Sequence, residues 1–300
     1  MKFSALRDFV AVVERGSLRA AARHLGVAQP AITRNIQELE KELGVALFER
    51  SAKGVKLTAM GQTFLRRAQT VHGELQRARD EIAQLRGVEQ GTVTLCLSSV
   101  PHMALLPHAL GAFRSRYPDV ELHLIDAVFP NTEAALVEGR VDFYVGPTPA
   151  EVPRELQVEK LFDNSRVIVG RKGHPLAGAR SLAELAGAEW ITSRITHKAE
   201  EEIGPLFAEH GLPPPRLVMR AQSSMSFLVA MTYSDLLMML PVQWPQFPLW
   251  RDVLQTIPVQ EALPAPAISL VQRAGLPLTP AAEYFADMLR RAATQARAPA

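Results

Sequence analysis

The sequence predicts an α + α/β protein with three parts: an N-terminal winged helix-turn-helix, a long coiled-coil linker helix and a two-lobed α/β domain. Short amphipathic helices separated by glycines fill the first 45 residues, and a continuous helical pattern follows. Strands then alternate with helices to the C-terminus. With 300 residues, 47% of them hydrophobic, the chain can form more than one core. The predicted parts are residues 1–58, 59–86, a hinge at 87–91, and 92–300.

Glycines and capping residues mark the ends of the first three helices. In the first helix Leu6, Phe9, Val10 and Val13 form one apolar stripe. Ser17 is a suitable N-cap for the second helix, and glycines follow the ends of all three. Two short helices joined by a turn of this kind form a helix-turn-helix. The predicted helices are Phe3–Arg15, Leu18–Leu25 and Pro30–Leu43.

Polar side chains at the start of the third helix suit contact with DNA. Gln pairs with adenine, Arg pairs with guanine, and a Thr hydroxyl contacts bases or phosphates. A two-stranded wing is predicted at Leu47–Arg50 and Val55–Thr58, with cations around its tip that would meet the DNA backbone. The candidate DNA-binding residues are Gln29, Pro30, Thr33, Arg34, Arg50 and Lys53.

Charge distribution favours nucleic acid as the partner of the N-terminal part. The net charge of +2 is uninformative, but residues 1–67 contain 12 Lys and Arg against 6 Asp and Glu. That part therefore carries +6, which leaves −4 on residues 68–300. An ordinary three-helix bundle with a charged face is the alternative, and it explains neither the basic excess nor the wing.

A dozen positions in the N-terminal part also carry a family resemblance. They are Phe9–Val13, Gly16–Leu18, Ala20–Ala22, Leu25, Gln29–Ile32, Ile36, Leu39–Glu40, Leu43–Gly44, Leu47–Phe48, Arg50, Leu57–Thr58 and Gly61. This pattern resembles the DNA-binding module of LysR-type transcriptional regulators. Ala28 stands where that family usually has a capping Ser, so a cap worth about 1 kcal/mol is missing unless Gln29 or Thr33 compensates.

The linker helix carries a narrow apolar seam that indicates a dimer. Its apolar positions are spaced alternately by four and three residues, as in a coiled coil. A long helix packed on its own body is the alternative, although a narrow seam suits a partner helix better. Such a dimer would match a pseudo-palindromic site on double-stranded DNA. The seam comprises Phe64, Ala68, Val71, Leu75, Ala78, Ile82 and Leu85.

Beyond residue 91 the strand and helix alternation indicates parallel sheets with helices on both faces. Lobe 1 is predicted from residues 92–162 and 267–300, and lobe 2 from residues 163–266. The chain would cross between lobes near Phe162–Ser165 and Pro264–Ala267. Ligands in open α/β sheets sit beyond the carboxyl ends of the strands, so a cleft between the lobes is the predicted ligand site.

Hydroxyls near helix N-termini, with one arginine across the cleft, suit a small anion such as a carboxylate, sulfonate or phosphate. An aromatic side chain would pack against the body of that ligand. Simple N-capping is the alternative for each serine taken alone. The candidate effector-binding residues are Ser98, Ser99, Phe129, Thr148, Ser193, Arg194 and Ser223.

The C-terminal part resembles the LysR-type effector domain, which has the periplasmic-binding-protein-like fold. The markers are Gly91–Leu97, Phe113–Pro118, Gly139–Asp142, His174–Leu176 and Ser234–Pro241. Some segments are similar to regulators of aromatic-compound catabolism, including a toluenesulfonate-responsive type. The resemblance implies a small-molecule effector without a cofactor and a tetramer assembled from dimers. It leaves RNA polymerase open as a further partner.

Other functions find less support in the sequence. No Gly-x-Ser-x-Gly elbow, phosphate-cradling loop or paired histidine spacing indicates an enzyme or a metal site. A solute-binding protein of the transport type would need a signal peptide with an uncharged apolar core, but residues 1–15 contain several charged side chains. No apolar run is long enough to span a membrane, and the lone Cys96 cannot form an internal disulfide. We therefore expect a cytoplasmic regulator.

Overall fold

The computed structural model describes residues 1–51, 54–193 and 199–296. The chain folds as two units: residues 1–90 with 134–141, and residues 91–133 with 142–300. The helices are α1 (Phe3–Arg15), α2 (Leu18–Leu25), α3 (Gln29–Leu43), α4 (Ala59–Leu85), α5 (Ser99–Ala104), α6 (Leu106–Arg116), α7 (Glu133–Val137), α8 (Ala199–Glu209), α9 (Ser224–Thr232), α10 (Gln243–Gln246) and α11 (Pro280–Ala296). The strands are β1 (Phe48–Ser51), β2 (Gly54–Leu57), β3 (Gln90–Leu97), β4 (Asp119–Asp126), β5 (Phe143–Pro147), β6 (Leu156–Phe162), β7 (Arg166–Arg171), β8 (Glu189–Ser193), β9 (Arg216–Ala221), β10 (Met238–Pro241), β11 (Leu254–Ile257) and β12 (Ile268–Arg273).

In the first unit, α1, α2 and α3 pack around a core centred on Phe9, Ile32 and Leu39. Ser17 caps α2, since its Oγ accepts a hydrogen bond from the Ala20 N–H at 3.1 Å. Gly26 ends α2 in the left-handed conformation, at a φ of 64° that favours glycine. The predicted helix-turn-helix is therefore confirmed.

The strands β1 and β2 pair antiparallel and form the wing, residues 48–57. Two elements hold its base. Glu40 on α3 accepts hydrogen bonds from the Leu47 and Phe48 N–H groups at 2.7 and 3.1 Å. A Cβ on Gly61, in the first turn of α4, would lie 2.1 Å from the Leu47 carbonyl oxygen, so only glycine fits there. These contacts fix the wing against α3 and α4.

The second unit contains a five-stranded sheet of order β4-β3-β5-β12-β6. Its core includes Leu95 of β3, Phe113 of α6 and Phe285 of α11. The C-terminal helix α11 therefore packs with the first elements of this unit. The other sheets have the orders β10-β7-β11 and β8-β9. A bridge between Trp190 and Leu237 joins the latter two. The chain thus returns near residue 268 to the sheet that it left near residue 162.

The expectation of wholly parallel sheets is wrong. β3 and β8 pair parallel with β5 and β9, but β12 runs antiparallel to both β5 and β6. β10 and β11 also run antiparallel to β7. The direction of a strand depends on the end of the sheet at which the chain enters it. β7 and β12 each follow a crossing between the lobes, so they run opposite to the strands with which they pair.

Two local features differ from what the sequence pattern predicts. The pattern predicts one helix over residues 103–116 with Pro107 in its first turns, but α5 ends at Ala104 and α6 begins at Leu106, because Pro107 cannot continue a helix in its interior. The pattern does not predict β6 and β11, since their exposed side chains interrupt the apolar run. No helix in the described part of the chain is long and apolar enough to cross a membrane.

Candidate functional site

The N-terminal end of α3 presents its predicted contact residues at the surface. Gln29, Pro30 and Arg34 are exposed, while Ile32 and Ile36 of the same helix are buried in the core. The buried face thereby fixes which side chains point outward. This end of α3 offers an amide and a guanidinium, which are groups that read adenine and guanine.

The start of α3 lacks a side-chain cap. Ala28 occupies the N-cap position, and no side chain there bonds the first N–H groups. Thr33 does not compensate, because its Oγ1 donates to the Gln29 carbonyl oxygen at 3.1 Å within the helix. The first N–H groups of α3 therefore have no side-chain cap, and such a helix N-terminus suits an anion.

The wing places Lys56 on β2 as an exposed cation, opposite Glu49 on β1. The predicted contact residue Arg50 lies in β1, where its backbone pairs with Val55. The predicted Lys53 lies outside the described residues. A lysine at the wing suits a phosphate, to which it brings a charge without base specificity.

The apolar seam of α4 divides into two halves. Phe64 and Ala68 pack into the core of the first unit, and Phe64 lies edge-on to Phe9 with ring centroids 5.2 Å apart. This corrects the expectation that the whole seam faces a partner. The second half is exposed, at 49% for Val71, 36% for Leu75, 59% for Ile82 and 72% for Leu85.

A cavity of about 140 Å³ lies in the second unit, among residues of all three of its sheets. A cavity of about 150 Å³ is large enough to bind benzene, so this one accepts a ring or short chain of similar size. Its wall is mostly apolar. Buried apolar residues that line it are Val100, Val128, Ile191, Phe227, Met238, Leu240, Trp244 and Ile268.

Ser98, which lines this cavity, carries a buried hydroxyl without a partner in the described part of the chain. Its side chain is 3% exposed, and its Oγ makes no hydrogen bond with any described residue. The backbone is held firmly, since the Ser98 N–H donates to the Val145 carbonyl oxygen at 2.9 Å. Ser99, Asn164, Thr192 and Ser224 also line this mostly apolar cavity, so its wall offers several polar side chains to a ligand.

Gly146, which has no Cβ, leaves space for the Ser98 and Tyr144 hydroxyls. A Cβ at Gly146 would lie 2.8 Å from Ser98 Oγ and 2.1 Å from the Tyr144 hydroxyl. Burial raises the pKa of Tyr144 well above its ordinary value, so its phenol stays neutral and donates to the Pro147 carbonyl oxygen at 2.9 Å. The residues behind Ser98 are thus closely packed and leave the hydroxyl little freedom to move.

Two charged residues line the cavity, Arg166 at the start of β7 and Asp126 at the end of β4. The Arg166 Nη1 donates to the Pro264 carbonyl oxygen at 3.3 Å, which holds the guanidinium beside the crossing between the sheets. A second cavity of about 360 Å³ shares Asp126, Val128 and Ser224 with the first, and Ala127 and the polar residues Asn131, Gln222 and Ser223 complete its lining. The apolar cavity therefore has polar groups at its margin.

Both units match known protein families. Residues 3–62 match the bacterial regulatory helix-turn-helix protein family of the LysR type, and residues 86–294 match the LysR substrate-binding domain. The chain belongs to the LysR family of transcriptional regulators. Its relatives and its fold are those of regulators, not of enzymes.

Related regulators align with almost the whole length of this chain. The SDS degradation transcriptional activation protein of a Pseudomonas species is 30% identical over 291 residues, which cover 95% of this chain and 94% of that protein. The HTH-type transcriptional regulator TdcA of Escherichia coli is 25% identical over 283 residues, or 94% and 90% of the two chains.

Solved structures show the same fold. The LysR family regulator CbnR aligns with a TM-score of 0.71 at 24% identity and covers 98% of this chain and 99% of its own. Full-length CbnR in complex with its target DNA aligns with a TM-score of 0.72 at 24% identity, over 97% and 100% of the two chains.

The predicted effector residues of this regulator lie in different places. Ser98 and Ser99 line the apolar cavity, whereas Ser223 lines the polar one and caps α9, where its Oγ accepts from the Ser226 N–H at 3.2 Å. Phe129 and Thr148 line neither cavity. Phe129 instead packs edge-on against Tyr144, with ring centroids 5.1 Å apart. Its ring therefore belongs to the core and does not line a cavity as the sequence predicts.

Two predicted residues cannot be placed. The Ser193 backbone ends β8, while its side chain and the whole of Arg194 fall outside the described residues. The sequence also missed residues that line the apolar cavity, chiefly Arg166, Phe227 and Trp244. Arg166 begins a strand instead of following one, so the rule that was applied to strand ends could not find it.

Proposed function

We propose that this LysR-type regulator binds a pseudo-palindromic promoter site as a dimer paired through the exposed second half of α4, from Val71 to Leu85, and that dimers assemble into a tetramer. We also propose that a small organic acid bound in the apolar cavity modulates it. The observation that carries the effector class is Arg166, a cation that lines a mostly apolar cavity together with Ser98, whose buried hydroxyl has no partner among the described residues. A carboxylate or sulfonate would accept from both donors, and its body would fill the apolar volume.

One relative agrees with this class of effector. The Pseudomonas protein that is 30% identical is named for SDS degradation, and dodecyl sulfate is an anion with an apolar chain. The resemblance to toluenesulfonate-responsive regulators predicts the same combination of an acid group and an apolar body. We infer that binding shifts the population of lobe arrangements and thereby the geometry of the dimer on DNA.

A mobility-shift assay on the intergenic DNA beside its own gene tests the DNA part. We expect salt-sensitive, sequence-specific binding that Arg34→Ala abolishes, while the circular dichroism spectrum and melting temperature stay unchanged because Arg34 is exposed. Gln37→Ala, exposed on the same helix one turn further on, is the matched control and should keep specificity. Full specificity in Arg34→Ala would contradict the assignment of α3 as the reading helix.

Calorimetry with small organic acids tests the effector part. Acids should bind and should change the mobility or footprint of the DNA complex, while the corresponding primary amides should bind at least tenfold more weakly. Arg166→Gln should remove most of this preference for the acid, because the guanidinium is the cation that lines the cavity. Equal affinity for acids and amides would reject an acid as the effector class and would leave DNA recognition unaffected.

A further inference from the structure

Methionines are concentrated around the ligand cavity. The chain has nine methionines, and Met238 and Met239 line the cavity. Met231 is fully buried in the same apolar cluster as Met238, and Met103 and Met219 pack against that cluster. Four of the nine methionines therefore belong to or pack against one apolar cluster beside the cavity, while Met239, which also lines the cavity, packs against the neighbouring cluster.

A wall of this kind adapts its shape. A methionine side chain is unbranched and has three rotatable bonds and a polarisable sulfur, so it fills irregular gaps at low cost. Surfaces rich in methionine are used where one site must accept partners of different shape. Met238 is buried and Met239 is half-buried, and they pack against different apolar clusters on the two faces of β10. A rotamer change in either side chain would alter the cavity without breaking the pairing of β10 with β7.

The other end of the cavity is rigid by comparison. The Ser98 N–H is bonded to the Val145 carbonyl oxygen, and the Ser98 Oγ lies in a space that even one Cβ on Gly146 would crowd. Trp244, which also lines the cavity, is held edge-on to Phe227 with ring centroids 5.0 Å apart. The cavity thus combines fixed polar groups with an adaptable apolar wall.

We propose that the regulator recognises a series of organic acids by their common acid group and tolerates wide variation in the shape of the apolar body. Methionines 238 and 239 are the residues that provide this tolerance. The proposal rests on the proposed effector class, because it requires that an acid occupies this cavity. It makes the regulator a sensor of a chemical class and not of one compound.

The test uses the full-length protein and three carboxylic acids of equal carbon number: heptanoic, cyclohexanecarboxylic and benzoic acid. These present a flexible chain, a puckered ring and a flat ring on the same acid group. Their primary amides form the second series. In the native protein we expect the Kd values of the three acids to agree within about tenfold, while each amide binds at least tenfold more weakly than its acid.

The double substitution M238L/M239L then tests the wall. Leucine has nearly the same volume as methionine but is branched and stiffer, so the fold is retained and adaptability is lost. We expect the spread of Kd values across the three acids to widen by at least tenfold, with the best acid still bound. Met288 lies on α11 and is buried in a different apolar cluster. Met288→Leu is therefore the matched control and should leave the spread of Kd values unchanged.

Several outcomes overturn the proposal. It fails if the native protein prefers one of the three bodies by more than a hundredfold, or if M238L/M239L leaves the spread unchanged. If acids and amides bind equally, or if neither series binds, the effector class fails and this proposal fails with it. Specific DNA binding by the same preparation would show that the regulator assignment stands in that case.

Methyl NMR of the methionines provides a second readout. Selective labelling of the nine methionines gives methyl signals that single substitutions assign. The signals of Met238 and Met239 should move to a different position with each acid, because their rotamers follow the shape of the ligand. The Met288 signal should stay in place. Identical shifts with all three acids would contradict an adaptable wall.

Discussion

Two buried hydroxyls, those of Ser98 and Thr132, have no hydrogen-bond partner among the described residues. A buried polar group without a partner costs about 1–3 kcal/mol of stability. The two residues differ in surroundings, because Ser98 lines the apolar cavity and Thr132 lines neither cavity. Under the proposed function only the Ser98 hydroxyl would gain its missing hydrogen bond from a ligand oxygen.

The first prediction compares the two hydroxyls. Ser98→Ala and Thr132→Val should each leave the free energy of unfolding unchanged or raise it by about 1 kcal/mol, because both remove an unpaired polar group. Urea denaturation measures this. Only Ser98→Ala should weaken the binding of organic acids, by about tenfold for one lost hydrogen bond to a charged group. Equal acid affinity in native protein and Ser98→Ala would show that Ser98 does not contact the ligand.

A histidine connects the first helix to the linker helix. The His72 ring on α4 stacks on Phe3 of α1 with centroids 5.9 Å apart, and the Arg79 guanidinium lies 5.4 Å from the same Phe3 ring. Burial lowers the pKa of His72 from its ordinary 6.5. Glu14 opposes this shift, while Arg79 and Arg7 add to it.

The second prediction follows from the sign of that shift. Between the lowered pKa and pH 6.5 the unfolded chain binds more protons than the folded one, so stability rises with pH. The contribution is complete above pH 6.5 and is lost as the pH falls through the lowered value. Hydrogen exchange of the α1 amides should therefore show weaker protection at pH 5.5 than at pH 7.5, after correction for intrinsic rates.

The control for this prediction is a neutral side chain. His72→Gln should make α1 protection less dependent on pH, whereas His108→Gln, exposed on α6 in the other unit, should not. If the protection of the α1 amides still depends on pH in His72→Gln, other titrating groups cause that dependence and the prediction is wrong.

At the scale of elements, α4 performs two tasks along its length. Its first half, with Phe64 and Ala68, completes the core of the DNA-binding module. Its second half exposes apolar side chains at heptad spacing, a pattern that pairs with another helix. A single seam in the sequence therefore divides into an intramolecular contact and a surface that we propose for the dimer.

The third prediction concerns that exposed half. Ile82→Lys should shift the protein from dimer to monomer in light scattering, because a charge would be buried in the paired seam. The monomer should keep its helix content. Gln76→Lys introduces the same charge on an exposed position off the seam, where it can pair with Asp80, and should leave the dimer intact.

Phe64→Ala provides the contrast within the same helix. It should destabilise the first unit by about 2 kcal/mol, less than for a fully buried phenylalanine because Phe64 is partly buried, whatever the oligomeric state. An Ile82→Lys variant that remained dimeric would place the dimer interface elsewhere.

For the whole molecule, the near-neutral total charge is the sum of two opposite parts. Residues 1–67 carry +6 and the remainder −4. The basic part contains the helix and the wing that are proposed to meet DNA, and the acidic part contains the ligand cavity. DNA affinity should therefore depend on salt through the first part alone.

The fourth prediction measures that dependence. Lys56→Gln in the wing should reduce the slope of log K against log salt by about 1 per lost phosphate contact, and to the same extent for specific and random DNA. Fluorescence anisotropy at several salt concentrations gives the slope. Lys172→Gln removes an equal charge from an exposed position in the second unit and should not change it. An equal effect of both would indicate general charge attraction without a wing contact.

The ligand site was predicted less completely than the DNA-binding module. The bounds of α1 and α2 agree with the predicted helices, because their capping residues and apolar spacing are local signals. Ser98 and Ser99 were found because they follow a strand. Phe129 was misplaced and Arg166 and Trp244 were missed, since their positions depend on how distant segments pack.

The sequence alone determined the helix-turn-helix, the wing, the linker helix and the division of charge, because each rests on residues close together in the chain. It also identified the family. Only the tertiary structure decided the mixed direction of the sheets, the division of the α4 seam and the composition of the cavity. These features join residues as far apart as Ser98 and Ile268, and no local pattern records which distant side chains will meet.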